Sequence, residues 1–76
     1  MEFALIVLLC AGEPGAACSP THFETLAFAR GPISRNECNA AAIDTLSRLP
    51  SPPDGRWYFG SCVRDEIRKK LEAAHV

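Results

Sequence analysis

Nonpolar residues run without interruption from Phe3 to Ala11, and Gly12-Glu13-Pro14-Gly15 closes the run. A continuous apolar stretch of this length, bounded by turn formers, reads as a β-strand buried on both faces. A bilayer-spanning helix needs about 20 such residues, so the run is too short for a transmembrane span. A secretory signal is the rival reading, because Gly15-Ala16-Ala17 supplies small residues at the place of a cleavage site. Against it, the segment before the run is only Met1-Glu2, and no basic residue occurs before Arg30. A lipoprotein signal would acylate Cys18, but Gly15 stands where an aliphatic residue belongs. The buried strand is the preferred reading.

Further along, Ser19-Pro20 with Thr21 and Glu24 has the form of a capped helix start, and Phe23, Leu26 and Ala27 share one helical face. This predicts a helix over residues 20–30, stopped by Gly31-Pro32; a strand through residues 26–29 is the alternative. Ser34-Arg35-Asn36-Glu37 is a second capping box, followed by an amphipathic stripe of Cys38, Ala41, Ala42, Thr45, Leu46 and Leu49 that Pro50 ends. After the turn Pro52-Pro53-Asp54-Gly55, residues 56–63 read as an aromatic-rich strand. In that strand Trp57, Phe59, Ser61 and Val63 share one face, with Tyr58 and Cys62 on the other. Residues 65–74 read as a helix with Asp65–Lys69 and Glu66–Lys70 spaced as i,i+4 ion pairs.

The expected fold is α+β, one small domain over residues 1–76, in the order β-α-α-β-α with a two- or three-stranded sheet. Two strands separated by helices are expected to lie parallel, joined by a right-handed crossover. Two strands alone make a poor sheet, so residues 22–30 or a partner molecule would have to complete it.

Charge enters mainly by exclusion. Eight Lys+Arg against nine Asp+Glu leave a net charge of −1, without the basic excess of a general polyanion binder. At 47% apolar and 22% charged the chain has the composition of a folded domain. The one basic concentration, Arg64, Arg68, Lys69 and Lys70, is offset by Asp65, Glu66 and Glu72, which favours a solvated helix face over a phosphate-binding one. His22 sits in the first turn of the expected helix and His75 beside the C-terminus. No phosphate loop, nucleophile elbow or His-Glu-x-x-His motif is present in the sequence, and no cofactor is implied.

The four cysteines, Cys10, Cys18, Cys38 and Cys62, are separated by 7, 19 and 23 residues, which lacks the CxxC signature of zinc ribbons and redox motifs. Two disulfides, four buried thiols, or a weaker metal alternative built on Cys18 and His22 remain open. If the strands at 3–10 and 56–63 run parallel, Cys10 and Cys62 fall at like ends, so the expected pairing is Cys10–Cys62 with Cys18–Cys38.

The residues Ile6-Val7-Leu8-Leu9-Cys10, Cys18, Gly31-Pro32, Glu37-Cys38 and Cys62-Val63-Arg64 resemble a group of short uncharacterised alphaproteobacterial proteins of rhizobial type. The likeness spans most of residues 5–64 and excludes the C-terminal helix. It implies a coherent fold and no activity.

These readings converge on a non-enzymatic interaction module that binds another protein or a second copy of itself. Its candidate surface is Trp57, Tyr58, Phe59, Arg64 and Arg68. One alternative is an exported disulfide-stabilised protein whose residues 1–17 are a signal peptide, which would place it in the periplasm or outside the cell; otherwise the cytoplasm is favoured. A further alternative is weak nucleic-acid binding through the basic C-terminal helix.

Overall fold

The computed structural model describes residues 1–13 and 18–74. The chain forms β1 (Phe3–Ala11), β2 (Thr25–Ile33), α1 (Arg35–Arg48), β3 (Arg56–Arg64) and α2 (Asp65–Ala74). It is an α+β protein built on a three-stranded sheet of order β2-β1-β3, antiparallel throughout.

The apolar run becomes the middle strand. Ala4, Leu5, Ile6, Val7 and Leu8 are all fully buried, which a strand achieves only when both faces are covered. On one face Leu5 and Val7 meet Cys38, Ala41, Ala42 and Leu49 of α1 and its C-cap. On the other, Ile6, Leu8 and Cys10 meet Leu71 of α2, Phe23 and Cys18 of the segment before β2, and Trp57 and Phe59. The result is three layers around one strand. A chain without residues 1–17 would lack this central strand and Cys10 together.

Residues 20–30 depart from the expected helix. Ser19 and His22 exchange two backbone hydrogen bonds (3.0 and 2.9 Å), so Ser19-Pro20-Thr21-His22 is a tight turn and not a helix start. From Thr25 the chain pairs with β1, which satisfies the backbone groups that a bare β1 edge would leave open in the core. The i, i+3, i+4 spacing of Phe23, Leu26 and Ala27 loses to that demand. Gly31-Pro32, expected to end the segment, lies inside β2 at a register irregularity opposite β1 residues 3–5.

The strands at 3–11 and 56–64 are antiparallel, against the parallel expectation, in an unbroken nine-pair ladder from Phe3↔Arg64 to Ala11↔Arg56. Residues 25–33 are a strand, so β1 has an antiparallel neighbour on each side; the outer two, β2 and β3, run parallel to each other and α1 is the crossover that joins them over β1. The facing of β3 agrees with the alternation read from the sequence: Trp57, Phe59, Ser61 and Val63 lie beside the even-numbered residues of β1.

Local signals hold elsewhere. Ser34 Oγ accepts the Glu37 N–H (3.2 Å) and caps α1, while Leu49 N–H donates to the Thr45 carbonyl (3.1 Å) at its end. The turn into β3 is closed by Arg56 N–H to the Pro53 carbonyl (3.0 Å), with Gly55 at φ +75° in the position where such a turn favours glycine.

Candidate functional site

The two antiparallel ladders determine which backbone groups of β3 are left over. Residue pairs alternate between hydrogen-bonded and non-hydrogen-bonded. Asp65 N–H donates to the Glu2 carbonyl (2.8 Å) and Gly12 N–H to the Gly55 carbonyl (3.1 Å), at the two ends of the β1–β3 register. Both bonds belong to the same phase, so Trp57, Phe59, Ser61 and Val63 direct their N–H and C=O groups at β1. Tyr58, Gly60 and Cys62 direct theirs outward from the sheet. Among the described residues no strand lies beyond β3 to receive them.

The two edges are not equivalent. β2 carries two register irregularities and Pro32, features that blunt an edge against pairing. β3 carries neither a proline nor a bulge over nine residues. It is the regular, open edge of the sheet.

Side chains around this edge come from three elements. Trp57 and Phe59 lie edge-to-face with centroids 6.3 Å apart on the α2 side of the sheet, and the Trp57 Nε1 is buried without a hydrogen-bond partner. Tyr58, on the α1 side, donates its hydroxyl to the Pro50 carbonyl (3.0 Å). Gly60 lies under Leu46 of α1; a Cβ there would meet Leu46 Cδ1 at 3.1 Å. Ile43, 77% exposed, is on the same flank of α1 as Leu46 and Asn39, and Asn39 Oδ1 is 3.5 Å from Cys62 Sγ. That flank therefore overhangs β3.

The charged candidates are drawn into other tasks. Arg68 binds Asp65 (2.5 Å) and Glu72 (2.8 Å) beside Gly31, with its side chain only 14% exposed. Its guanidinium holds the Asp65 carboxyl below the ordinary value of 3.8, against a burial that pushes it up, and Asp65 in turn strengthens protonation of Arg68. Lys69 lies 3.7 Å from Asp65, and Arg64 is 3.5 Å from Glu2. Thus Trp57 and Phe59 are on one face, Tyr58 is on the other, and Arg68 is part of a structural ion-pair cluster. What Trp57, Tyr58 and Phe59 share is the edge strand.

The cysteines form Cys10–Cys18 and Cys38–Cys62, in place of the expected Cys10–Cys62 and Cys18–Cys38. The antiparallel register is the reason: Cys62 is opposite Leu5, while Cys10 is opposite Trp57 and points to the other face. Cys38–Cys62 fastens α1 to β3, and Cys10–Cys18 fastens the segment before β2 to the end of β1. Cys18, half of the weaker metal alternative with His22, is thereby engaged as a disulfide.

Two recesses lie away from the edge. One, of about 190 Å³, is lined by Cys10, Ala11, His22, Phe23 and Glu24. The other, of about 300 Å³, is a groove between α1 and β2 lined by Arg30, Glu37, Ala40, Ala41 and Asp44. Among the described residues no group of three or more His, Cys, Asp or Glu is placed to hold a metal ion, and no helix is long and apolar enough to cross a membrane. The cleavage-site residues Gly15, Ala16 and Ala17, and His75, lie outside the described residues. Gly60 and Ile43 were not singled out by sequence, and Leu46 was read only as part of the buried stripe of α1, whereas it is 38% exposed on the flank over β3; the contrast of large residues before Gly60 and small ones after it was the available signal. No family model, curated protein or solved structure matches this chain.

Proposed function

We propose that this disulfide-stabilised protein is a non-enzymatic interaction module that docks an extended segment of protein against the open edge of β3. The single observation that carries this reading is the outward row of N–H and C=O groups at Tyr58, Gly60 and Cys62, on a strand with no bulge or proline to protect it. Strand addition supplies affinity through main-chain bonds and specificity through alternate side chains. Here Trp57 and Phe59 offer apolar surface beside the added strand, and Cys38–Cys62 anchors the edge to α1.

The ion pairs around Arg68 weigh against the nucleic-acid alternative, since that side chain is already neutralised and mostly covered. The likeness to short alphaproteobacterial proteins is compatible with the proposal. In this chain the residues that carry the likeness fall on β1, on all four disulfide cysteines, at Gly31-Pro32 of β2, at Glu37 of α1 and at Val63-Arg64 of β3.

Amide hydrogen exchange tests the reading. In the dilute chain, Trp57, Phe59, Ser61 and Val63 should exchange slowly and Tyr58, Gly60 and Cys62 rapidly. In a complex with a protein partner the latter three should slow by at least about tenfold. A complex that protects the α1–β2 groove and leaves these three amides unchanged would overturn it.

A further inference from the structure

Resting on the β3-edge reading, we infer that the occupant of this edge is a second copy of the same chain, paired antiparallel about a two-fold axis through Gly60. Three independent features of the edge are self-complementary in that register.

The first is hydrogen bonding. Gly60 is the midpoint of Arg56–Arg64 and belongs to the outward-facing set. An antiparallel partner centred there brings Gly60 opposite Gly60 and Tyr58 opposite Cys62, each as a hydrogen-bonded pair. Six main-chain bonds form, and none of the existing ladder is disturbed.

The second is size. Before Gly60 stand Trp57, Tyr58 and Phe59; after it stand Ser61, Cys62 and Val63. The two-fold register sets every large residue against a small one: Phe59 against Ser61 and Trp57 against Val63 on the α2 side, Tyr58 against Cys62 on the α1 side. Phe59–Ser61 and Trp57–Val63 fall on the non-hydrogen-bonded pairs, where opposed side chains come closest. At the ends, Arg56 meets Arg64, and each arrives with its own carboxylate, Glu24 and Glu2 respectively, so like charges are not left uncompensated.

The third is the helix above. α1 lies over β1 and β3, so its copy would stand two strand spacings away, about 10 Å, which is close to the 8–10 Å or so at which helices pack. Leu46 rests on Gly60 and therefore sits at the axis, opposite its own copy. Ile43, exposed on the same flank, gains cover there. The product is one six-stranded sheet, β2-β1-β3-β3-β1-β2, with only the blunted β2 edges outside, and the contact is isologous as a closed dimer requires.

Sedimentation equilibrium on the purified, oxidised chain over about 10–500 µM should show a monomer–dimer equilibrium with a micromolar dissociation constant. Tyr58, Gly60 and Cys62 amides should slow as concentration rises. Gly60→Pro, which removes two intermolecular bonds and no ladder bond, should weaken the dimer at least about tenfold. Because that residue touches Leu46, the exposed Ile43→Lys serves as the second variant; it should weaken the dimer about fivefold or more with an unchanged monomer circular dichroism spectrum. A strict monomer across the range overturns self-pairing, as does a dimer indifferent to both variants. If the monomer nonetheless protects the same three amides on binding another protein, the β3-docking reading survives alone. A dimer that leaves those amides unprotected overturns self-pairing through β3, while the β3-docking reading stands or falls on the exchange pattern in a complex with another protein.

Discussion

At Gly31 the close approach of β2 to the Asp65–Arg68 pair of α2 depends on a missing methyl group. A Cβ there would lie 2.5 Å from Asp65 Oδ1, 2.7 Å from Ala4 Cβ and 3.0 Å from Arg68 Nε. Two of these neighbours are held by an ion pair and the third, Ala4 near the start of β1, is fully buried, so none yields freely. Gly31→Ala should destabilise the fold by about 1–3 kcal/mol, read as a lower urea midpoint. Asp65, 8% exposed, adds a pH dependence. Its carboxyl is held below 3.8 by Arg68 in the folded chain, so the unfolded chain takes up the proton first as acid is added. The stabilisation is complete above that value and fades as pH falls below it towards the folded-state value. Melting temperature should drop in that acid window, and Asp65→Asn should flatten the drop while lowering stability at neutral pH.

Elements respond to longer-range demands. Phe23, Leu26 and Ala27 have helical spacing, yet Thr25–Ile33 is a strand, because the open side of a doubly buried β1 requires a hydrogen-bonding neighbour. The two disulfides act on different elements, and their loops differ in length. Cys10–Cys18 spans 8 positions and Cys38–Cys62 spans 24. Loop-closure entropy then gives about 2.5 and 3.5 kcal/mol respectively. Non-reducing peptide mapping should recover these two pairs, and the double variant Cys38→Ala/Cys62→Ala should cost more stability than Cys10→Ala/Cys18→Ala. Recovery of a Cys10–Cys62 peptide would contradict the antiparallel register itself.

For the molecule as a whole, three layers around one strand leave little core to spare, which is the usual condition of a domain this small. Both sheet faces are covered, by α1 on one side and by α2 with the segment before β2 on the other. What remains unsatisfied is an edge. The β2 edge is interrupted by its irregularities and Pro32, while β3 is straight, aromatic and overhung by Ile43 and Leu46. That asymmetry is why association is argued through β3, and why a closed pair of copies is expected in preference to an open fibre.

The sequence alone determined the pieces whose causes are local. Nine consecutive apolar residues favour a strand covered on both faces, and Ala4–Leu8 and Cys10 are indeed buried. Ser34 with Glu37, Pro50, and Asp54-Gly55 carry the start and end of α1 and the turn into β3 in their own chemistry. Alternation sorted Trp57 and Phe59 from Tyr58 and Cys62. Only the tertiary structure decided strand direction, the fate of residues 20–30, the cysteine pairing and the openness of β3. Each of these depends on which distant segment lies alongside β1, and a pairing partner far along the chain leaves no mark on the local spacing of residues.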